Sequence, residues 1–417
     1  MNRKTTVALT AGLAAAMLAS CCIIRAGSGK SNGQEENKMA IDISPKGSRQ
    51  DLVSMNNEFA LKLFRETAGL ESQVVSPLSI TYLMGMLANG ADGKTLDEIR
   101  SVLGWEGVPV EDINTFCRNM IENSGKLDPS TTINIADYIA VNKEYKLKAD
   151  FTGSVQENYK AGIESLDFSS SKTLGHINSW CKKQTDGMIP GILDEVDPGA
   201  VAYIMNAIYF NGSWADKFSK KKTAIANFKG YTRDIKKVDM MHRNGKYEYT
   251  SNETYSAVRI PYGDGTFSML VLLPNEGKSI DDILDKVDAQ SVSLMGRSMG
   301  EYLVDLKLPK FTTEVEIPLN EIVSSLGAPS MFVASDADFS RMADGDIFIS
   351  KMLQKAKIEV SEEGTKAAAV TAAVMVGTSL EPYEPQRVDF HADHPFIYII
   401  SESYTGAIYF IGQFAGD

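Results

Sequence analysis

The stretch SEEGTKAAAVTAAVMVGTSL, Ser361 to Leu380, decides how this chain is read. Two glutamates and a glycine lead into a run without charge after Lys366, built mainly of alanine, valine, threonine and glycine. A membrane-spanning helix needs about 20 apolar residues, and this run is shorter and interrupted by threonine. Its alanines favour a helix, whereas the β-branched Val370, Thr371, Val374 and Val376 disfavour one. A period of two orders the segment better. Thr365, Ala367, Ala369, Thr371, Ala373 and Met375 fall on one face. Lys366, Ala368, Val370, Ala372, Val374 and Val376 fall on the other. The first face is small nearly throughout, so such a strand could slide between existing strands without overpacking them. Local preference alone leaves helix, loop and strand open.

The surrounding chain is 417 residues long, with 43% hydrophobic and 23% charged residues, as in ordinary globular proteins. Its formal charge of −12, from 42 basic and 54 acidic residues, argues against nucleic acid or an anionic membrane surface as partner. The short basic cluster of Lys217, Lys220, Lys221 and Lys222 is expected to be a solvated face.

Arg3 and Lys4 precede an apolar stretch from Val7 to Leu18, a secretory signal pattern. The stretch ends Leu18-Ala19-Ser20-Cys21, which resembles the lipobox of bacterial lipoproteins. That resemblance implies a signal peptide over 1–20 and an acylated Cys21. A plain signal peptide and an uncleaved anchor are the alternatives. Residues 21–49, rich in glycine, serine and polar residues, then read as a flexible tether, and 50–417 as the folded domain. Cys117 and Cys181, the two remaining cysteines, match no zinc spacing and form no disulfide framework, so free buried thiols are expected and no metal is assigned.

Beyond Gln50 the chain has no linker, low-complexity segment or internal repeat. Leu52, Phe59, Leu63 and Phe64 recur at helical spacing until Gly69. Ser76-Pro77 offers an N-cap and a first-turn proline for a helix through Met86. Thr95 with Glu98 reads as a capping box for the next helix. Strands are expected at 133–141, 201–210, 255–261, 266–273, 302–308, 397–400 and 407–414. Helices early and antiparallel-looking strands late indicate an α+β fold.

A hydrolase has one motif in its favour. Gly296-Arg297-Ser298-Met299-Gly300 matches G-x-S-x-G, with His391, Asp393 and His394 as conceivable partners. A nucleophile elbow needs a strand before the serine and a helix after it. Here an alternating, strand-like run from Glu301 to Leu308 follows the serine, so the order is wrong and no enzyme is expected.

Returning to the opening stretch, Glu362-Glu363-Gly364-Thr365-Lys366-Ala367-Ala368-Ala369 resembles the hinge of the serpins. Five further serpin-like stretches occur in the same chain order. These are Val75-Ser76-Pro77-Leu78-Ser79-Ile80; Ile177-Asn178-Ser179-Trp180 with Thr185-Asp186-Gly187-Met188-Ile189; and Met205-Asn206-Ala207-Ile208-Tyr209-Phe210 leading to Trp214. Val238-Asp239-Met240-Met241 follows, and then His394-Pro395-Phe396 through Thr405-Gly406-Ala407-Ile408-Tyr409-Phe410. The resemblance spans the whole of 50–417. It implies helices of the N-terminal half packed on large mixed β-sheets, with an exposed reactive-centre loop.

The resemblance also implies a function, suicide inhibition of proteases. An attacked loop forms an acyl-enzyme and then inserts as a central strand, carrying the protease with it. About 14 residues at roughly 3.3 Å each correspond to a strand on the order of 45 Å. The inward face carries no proline or charge, Lys366 falls outward, and Gly364 permits a turn that a Cβ would resist. Family spacing from Gly364 places the cut between Thr378 and Ser379; a cut after Val374, Met375 or Val376 remains open. A small residue there points to elastase-like or subtilisin-like serine proteases, with papain-like cysteine proteases as further partners.

By the same resemblance Ser76, Ser79, Asn206 and Gln354 form a hydrogen-bonded shutter under the sheet. Trp214 marks the breach where the loop enters. Gln354 stands where serpins usually have histidine; it can still donate and accept, but it removes the pH dependence an imidazole would give there. No cofactor is implied. A monomeric lipoprotein anchored at the outer membrane is expected, with a secreted soluble protein as the alternative. A non-inhibitory serpin acting as a binding protein is the alternative function; its hinge should carry charges or prolines after Gly364.

Overall fold

The computed structural model describes residues 52–365 and 385–417, apart from Arg233. The leader, the tether and Cys21 lie outside the described residues. So do Lys366, Ala367, Ala368, Ala369, Val374, Met375, Val376, Thr378 and Ser379 of the loop.

Helices dominate the first part. α1 (Leu52–Thr67) buries Leu52, Phe59, Leu63 and Phe64 along one face. α2 (Pro77–Gly90) starts where Ser76 caps it, the Ser76 side chain accepting from the Ser79 N–H. All of its residues but Asn89 are buried, as befits a helix that is apolar on every side. α3 (Gly93–Val102) corrects one expectation, because Asp92 rather than Thr95 is its N-cap. Thr95 and Glu98 instead bind Ser330, the first through a 3.0 Å hydroxyl contact and the second by accepting the Ser330 N–H at 2.9 Å. A tertiary partner has claimed both halves of the capping box. α4 (Val110–Leu127), α5 (Ala149–Tyr159), α6 (Thr173–Gln184), α7 (Ile280–Leu284), α8 (Ala289–Ser298) and α9 (Asn320–Ser325) complete the described α-helices. None of the described helices is long and apolar enough to cross a membrane.

Strands begin with β1 (Gln73–Val75), β2 (Thr131–Asn142), β3 (Gly162–Leu166) and β4 (Ala202–Ser213). β5 (Ala224–Lys229), β6 (Ile235–Ser251), β7 (Tyr255–Pro261), β8 (Phe267–Pro274) and β9 (Gly300–Pro309) follow. The last are β10 (Phe311–Pro318), β11 (Lys351–Ser361), β12 (Gly364–Thr365), β13 (Arg387–His391), β14 (Phe396–Glu402) and β15 (Ile408–Phe414). Every strand expected from the sequence is present, with ends shifted by no more than three residues.

These strands make two mixed sheets. One runs β1-β15-β14-β8-β7-β6-β9-β13, with β5 paired to β6. The other runs β10-β11-β12-β4-β2-β3, and β11 also pairs directly with β4. The second sheet is apolar on both faces. Ile204, Ile208 and Phe210 of β4 join the main core, whereas Tyr203, Met205 and Ala207 join a second cluster with Ile177 and Cys181 of α6. Strict alternation thus sorts one strand between two cores. α2 touches β15 of the first sheet and both β4 and β2 of the second, so it sits under the place where β4 meets β11.

Candidate functional site

The site is the seam between β11 and β4. These strands pair in parallel from Lys351↔Tyr203 to Lys357↔Tyr209. Continuing that register would oppose Val360 to Gly212 and Ser361 to Ser213. Instead β12 lies between them, with Thr365 paired to both Val360 and Gly212, and Gly364 to both Ser361 and Ser213. The seam is therefore open at its top by two residues, and the start of the alanine-rich run fills the opening.

Chemistry of single residues explains why the chain turns here. Glu362 and Glu363 form the two-residue connection, and Gly364 adopts φ +141, where L side chains are strained. A Cβ at Gly364 would lie 2.2 Å from the Gly212 carbonyl oxygen, so any side chain would push β12 off β4. Thr365 is fully buried, and its hydroxyl meets the Tyr262 hydroxyl at 2.8 Å. Tyr262 stacks on Trp214 at 4.4 Å and 10°. The Trp214 indole N–H donates to the Ser361 carbonyl at 2.8 Å, and its backbone N–H to Glu363 at 3.0 Å. The breach tryptophan is thus both a core residue and the clamp on the turn.

The two glutamates are held as well. Glu363 is paired with Lys217 at 2.8 Å and Lys220 at 3.4 Å. Part of the lysine cluster read as a solvated face is therefore a turn anchor. The lysine hydrogen bond holds the Glu363 carboxyl below its usual range. Glu362 accepts from the Thr223 hydroxyl at 2.9 Å and lies 3.4 Å from Lys310. Burial pushes its carboxyl up, but its own N–H, Thr223 and Lys310 outweigh that, and it too ends below its usual range.

Midway down, polar groups bridge the seam. Gln354 of β11 accepts the Ser76 N–H at 2.8 Å and donates to the Ser76 carbonyl at 3.0 Å and the Asn206 side chain at 2.9 Å. Asn206 of β4 then donates to Asp137 of β2 at 2.8 Å. Ser76 and Ser79 hydroxyls share a 2.9 Å contact. The four residues expected at the shutter meet, and Asp137 extends the chain to a third strand. Burial drives the Asp137 carboxyl up to about 7, against the lowering effect of the Asn206 bond. Glutamine at 354 removes the pH dependence of an imidazole there, but Asp137 brings a titratable group into the same network. The signal was legible: a lone acid in the otherwise apolar run Ile135-Ala136-Asp137-Tyr138-Ile139. Tyr262, Thr223 and Lys310 carried no such signal, since they reach the turn from other strands and loops.

The remaining candidates disperse. Ser298 ends α8 and β9 follows, the reverse of a nucleophile elbow. Cys117 and Cys181 are free and buried. Burial raises both thiols, that of Cys181 to about 12.

Comparison with known proteins follows the same lines. A family described as Serpin (serine protease inhibitor) matches residues 54–416. Human leukocyte elastase inhibitor is 34% identical over 382 residues, 88% of this chain and 99% of that protein. Chicken neuroserpin is 30% identical over 373 residues, 87% of this chain and 89% of that protein. Among solved structures, native tengpin, a thermophilic serpin, superposes with a TM-score of 0.79 at 29% identity, covering 89% of this chain and 96% of that one. Thyroxine-binding globulin in complex with thyroxine gives 0.78 at 25% identity, covering 87% and 98%.

Asp137 generates a pH prediction. Its folded value near 7 exceeds an unfolded value of about 3.9. Its contribution to stability is then full below pH about 4 and lost as pH rises through 7, a loss on the order of 4 kcal/mol. Asp137→Asn keeps an acceptor for Asn206 and removes the titration. Denaturant unfolding across this range should show the variant gaining on the native protein as pH rises. Parallel curves for the two proteins would refute the assignment.

Proposed function

The chain belongs to the serpin family, and from that membership and the geometry of the seam we propose that it is a conformational-trapping inhibitor of serine and cysteine proteases. The position of β12 between β11 and β4 carries the reading, because it supplies the register for a longer inserted strand. Continued downward, that register sets Lys366 opposite Glu359, Ala367 between Ile358 and Phe210, Ala369 between Ala356 and Ile208, and Thr371 between Gln354 and Asn206. The inward positions face buried neighbours, and small side chains suit them. Lys366 meets an opposite charge on the outer face. Insertion through Val374 would replace the whole β11–β4 pairing by antiparallel ladders on both sides, a gain held back while the loop is uncut.

Several relatives are named as inhibitors of leukocyte elastase, which supports protease inhibition. Thr378 as the residue before the cut, after Val376 and Gly377, supports a target with a small apolar pocket, of elastase or subtilisin type. The lipobox-like end of the leader supports a secreted lipoprotein held through Cys21 at the outer membrane.

Mixing the protein with elastase-, subtilisin- and papain-like proteases should give an SDS-resistant complex with at least one of them. Cleaved inhibitor alone across the panel would defeat the reading. Ala367→Arg buries a charge against Phe210 and should convert inhibitor to substrate, with complex lost and cleavage retained. Lys366→Glu places like charges opposite Glu359 and should raise the substrate fraction a few-fold, in keeping with a cross-strand effect of about 0.2–1 kcal/mol. Unchanged complex formation by Ala367→Arg would exclude insertion in this register. Separately, Cys21→Ser should move the protein from the membrane fraction to the soluble one, and continued membrane retention would count against the anchor.

A further inference from the structure

Away from the seam, three adjacent strands of the nine-stranded sheet converge on one group of metal-ligating side chains. β13 runs parallel to β9, with Asp389 opposite Asp305 and His391 opposite Lys307. β6 flanks β9 on its other side and sets His242 opposite Lys307. The His242 Nε2 lies 2.8 Å from Asp305 Oδ1, and the His391 Nε2 lies 3.5 Å from the same oxygen. Ligand atoms of Asp305, Asp389 and His391 all fall within 4.8 Å of one another. The His391 Nε2 is shielded from solvent and makes no hydrogen bond among the described residues. A shielded ring nitrogen that makes no hydrogen bond, has the Asp305 carboxylate 3.5 Å away and faces a second carboxylate is a group set for a cation.

We propose that Asp305, Asp389 and His391 bind a divalent cation of the zinc class, with His242 orienting Asp305 from the neighbouring strand. Imidazole with carboxylates suits zinc, at about 2.0–2.2 Å from each ligand atom and with water completing a tetrahedron. Ligand atoms around such an ion lie roughly 3.3 Å apart, so side-chain rotation on the order of 1 Å closes the site. His242 supplies the outer hydrogen bond that fixes a ligating carboxylate. Lys307 shares this face and opposes the cation electrostatically, which weakens binding. Sequence spacing could not reveal the group, because its members come from positions 242, 305, 389 and 391.

The site has a mechanical consequence. Among the described residues β13 is the edge strand of its sheet and pairs only with β9, over five positions. It is also the first described strand after the segment 366–384. A cation shared by Asp389, His391 and Asp305 ties this edge to the sheet and stabilises the bound form by mass action. The inference does not depend on the inhibitory reading.

Zinc chloride titrated calorimetrically into the chelator-treated full chain tests it. One ion per chain with micromolar affinity and a raised Tm is expected. Asp389→Asn and His391→Gln should each weaken binding at least about tenfold, His242→Gln less, and Lys307→Met should tighten it. Asp389 is exposed, so its variant should fold, and circular dichroism without metal checks this. Cobalt(II) should give a tetrahedral visible spectrum that His391→Gln abolishes. Absence of saturable zinc binding, or equal affinity in both Asp389→Asn and His391→Gln, would overturn the site.

Discussion

Parallel pairing between β11 and β4 is the constraint on which the molecule turns. The two strands share seven register pairs, Lys351↔Tyr203 to Lys357↔Tyr209, in the middle of a sheet that is buried on both faces. Buried backbone groups must be paired, so this seam cannot simply part. Only another strand can take the place of either partner. β12 does so over its two residues, satisfying Val360 and Ser361 on one side and Gly212 and Ser213 on the other. The fold therefore contains both the direct pairing of β11 with β4 and, above it, two residues of a strand lying between them.

Two sets of contacts hold this arrangement, one at the turn and one in the middle of the seam. At the turn, Gly364 admits the backbone that brings β12 against β4, and the Trp214–Tyr262 stack clamps Ser361, Glu363 and Thr365. A stacked pair of this kind contributes about 0.5–1.5 kcal/mol beyond its burial. In the middle, the Gln354 amide bonds α2 and β4 together across the seam. Amide donors and acceptors are directional, so Asn206 must keep its carbonyl toward Gln354 while its NH2 points to Asp137. One flipped amide would place two donors face to face.

Much of this was legible in the sequence, and the exceptions share a cause. Alternation marked β9 because a strand with one buried face presents apolar groups at fixed spacing. Ser76-Pro77 marked the start of α2 because capping is a local event. Indecision between helix and strand at 361–380 was itself informative, since small residues without charge suit a segment that enters a preformed slot. Thr95 and Glu98 misled because Ser330, far along the chain, offered both of them better partners than the helix end. Lys217 and Lys220 looked like a solvated cluster because the glutamate they hold lies more than 140 residues away, and Thr223 is similarly remote from Glu362. Contacts that cross strands have no sequence period, and that is where the reading stopped.

Electrostatics then sets the two ends of the seam against each other. Glu362 and Glu363 have carboxyls held below their usual range, so their stabilisation is present above that range and is lost as pH falls through it. Asp137 has the opposite shift, so its contribution is present in acid and fades as pH rises toward about 7. Acid strong enough to protonate the turn releases the top of the seam while leaving its middle at ease. Alkali keeps the turn anchored but forces a charge into a buried site whose hydrogen-bond donor is the same Asn206 that bridges to Gln354. The two contributions coincide most fully just above the ordinary carboxylate range. The seam is thus held most tightly at both ends in mild acid, and each direction of pH change loosens a different end of it.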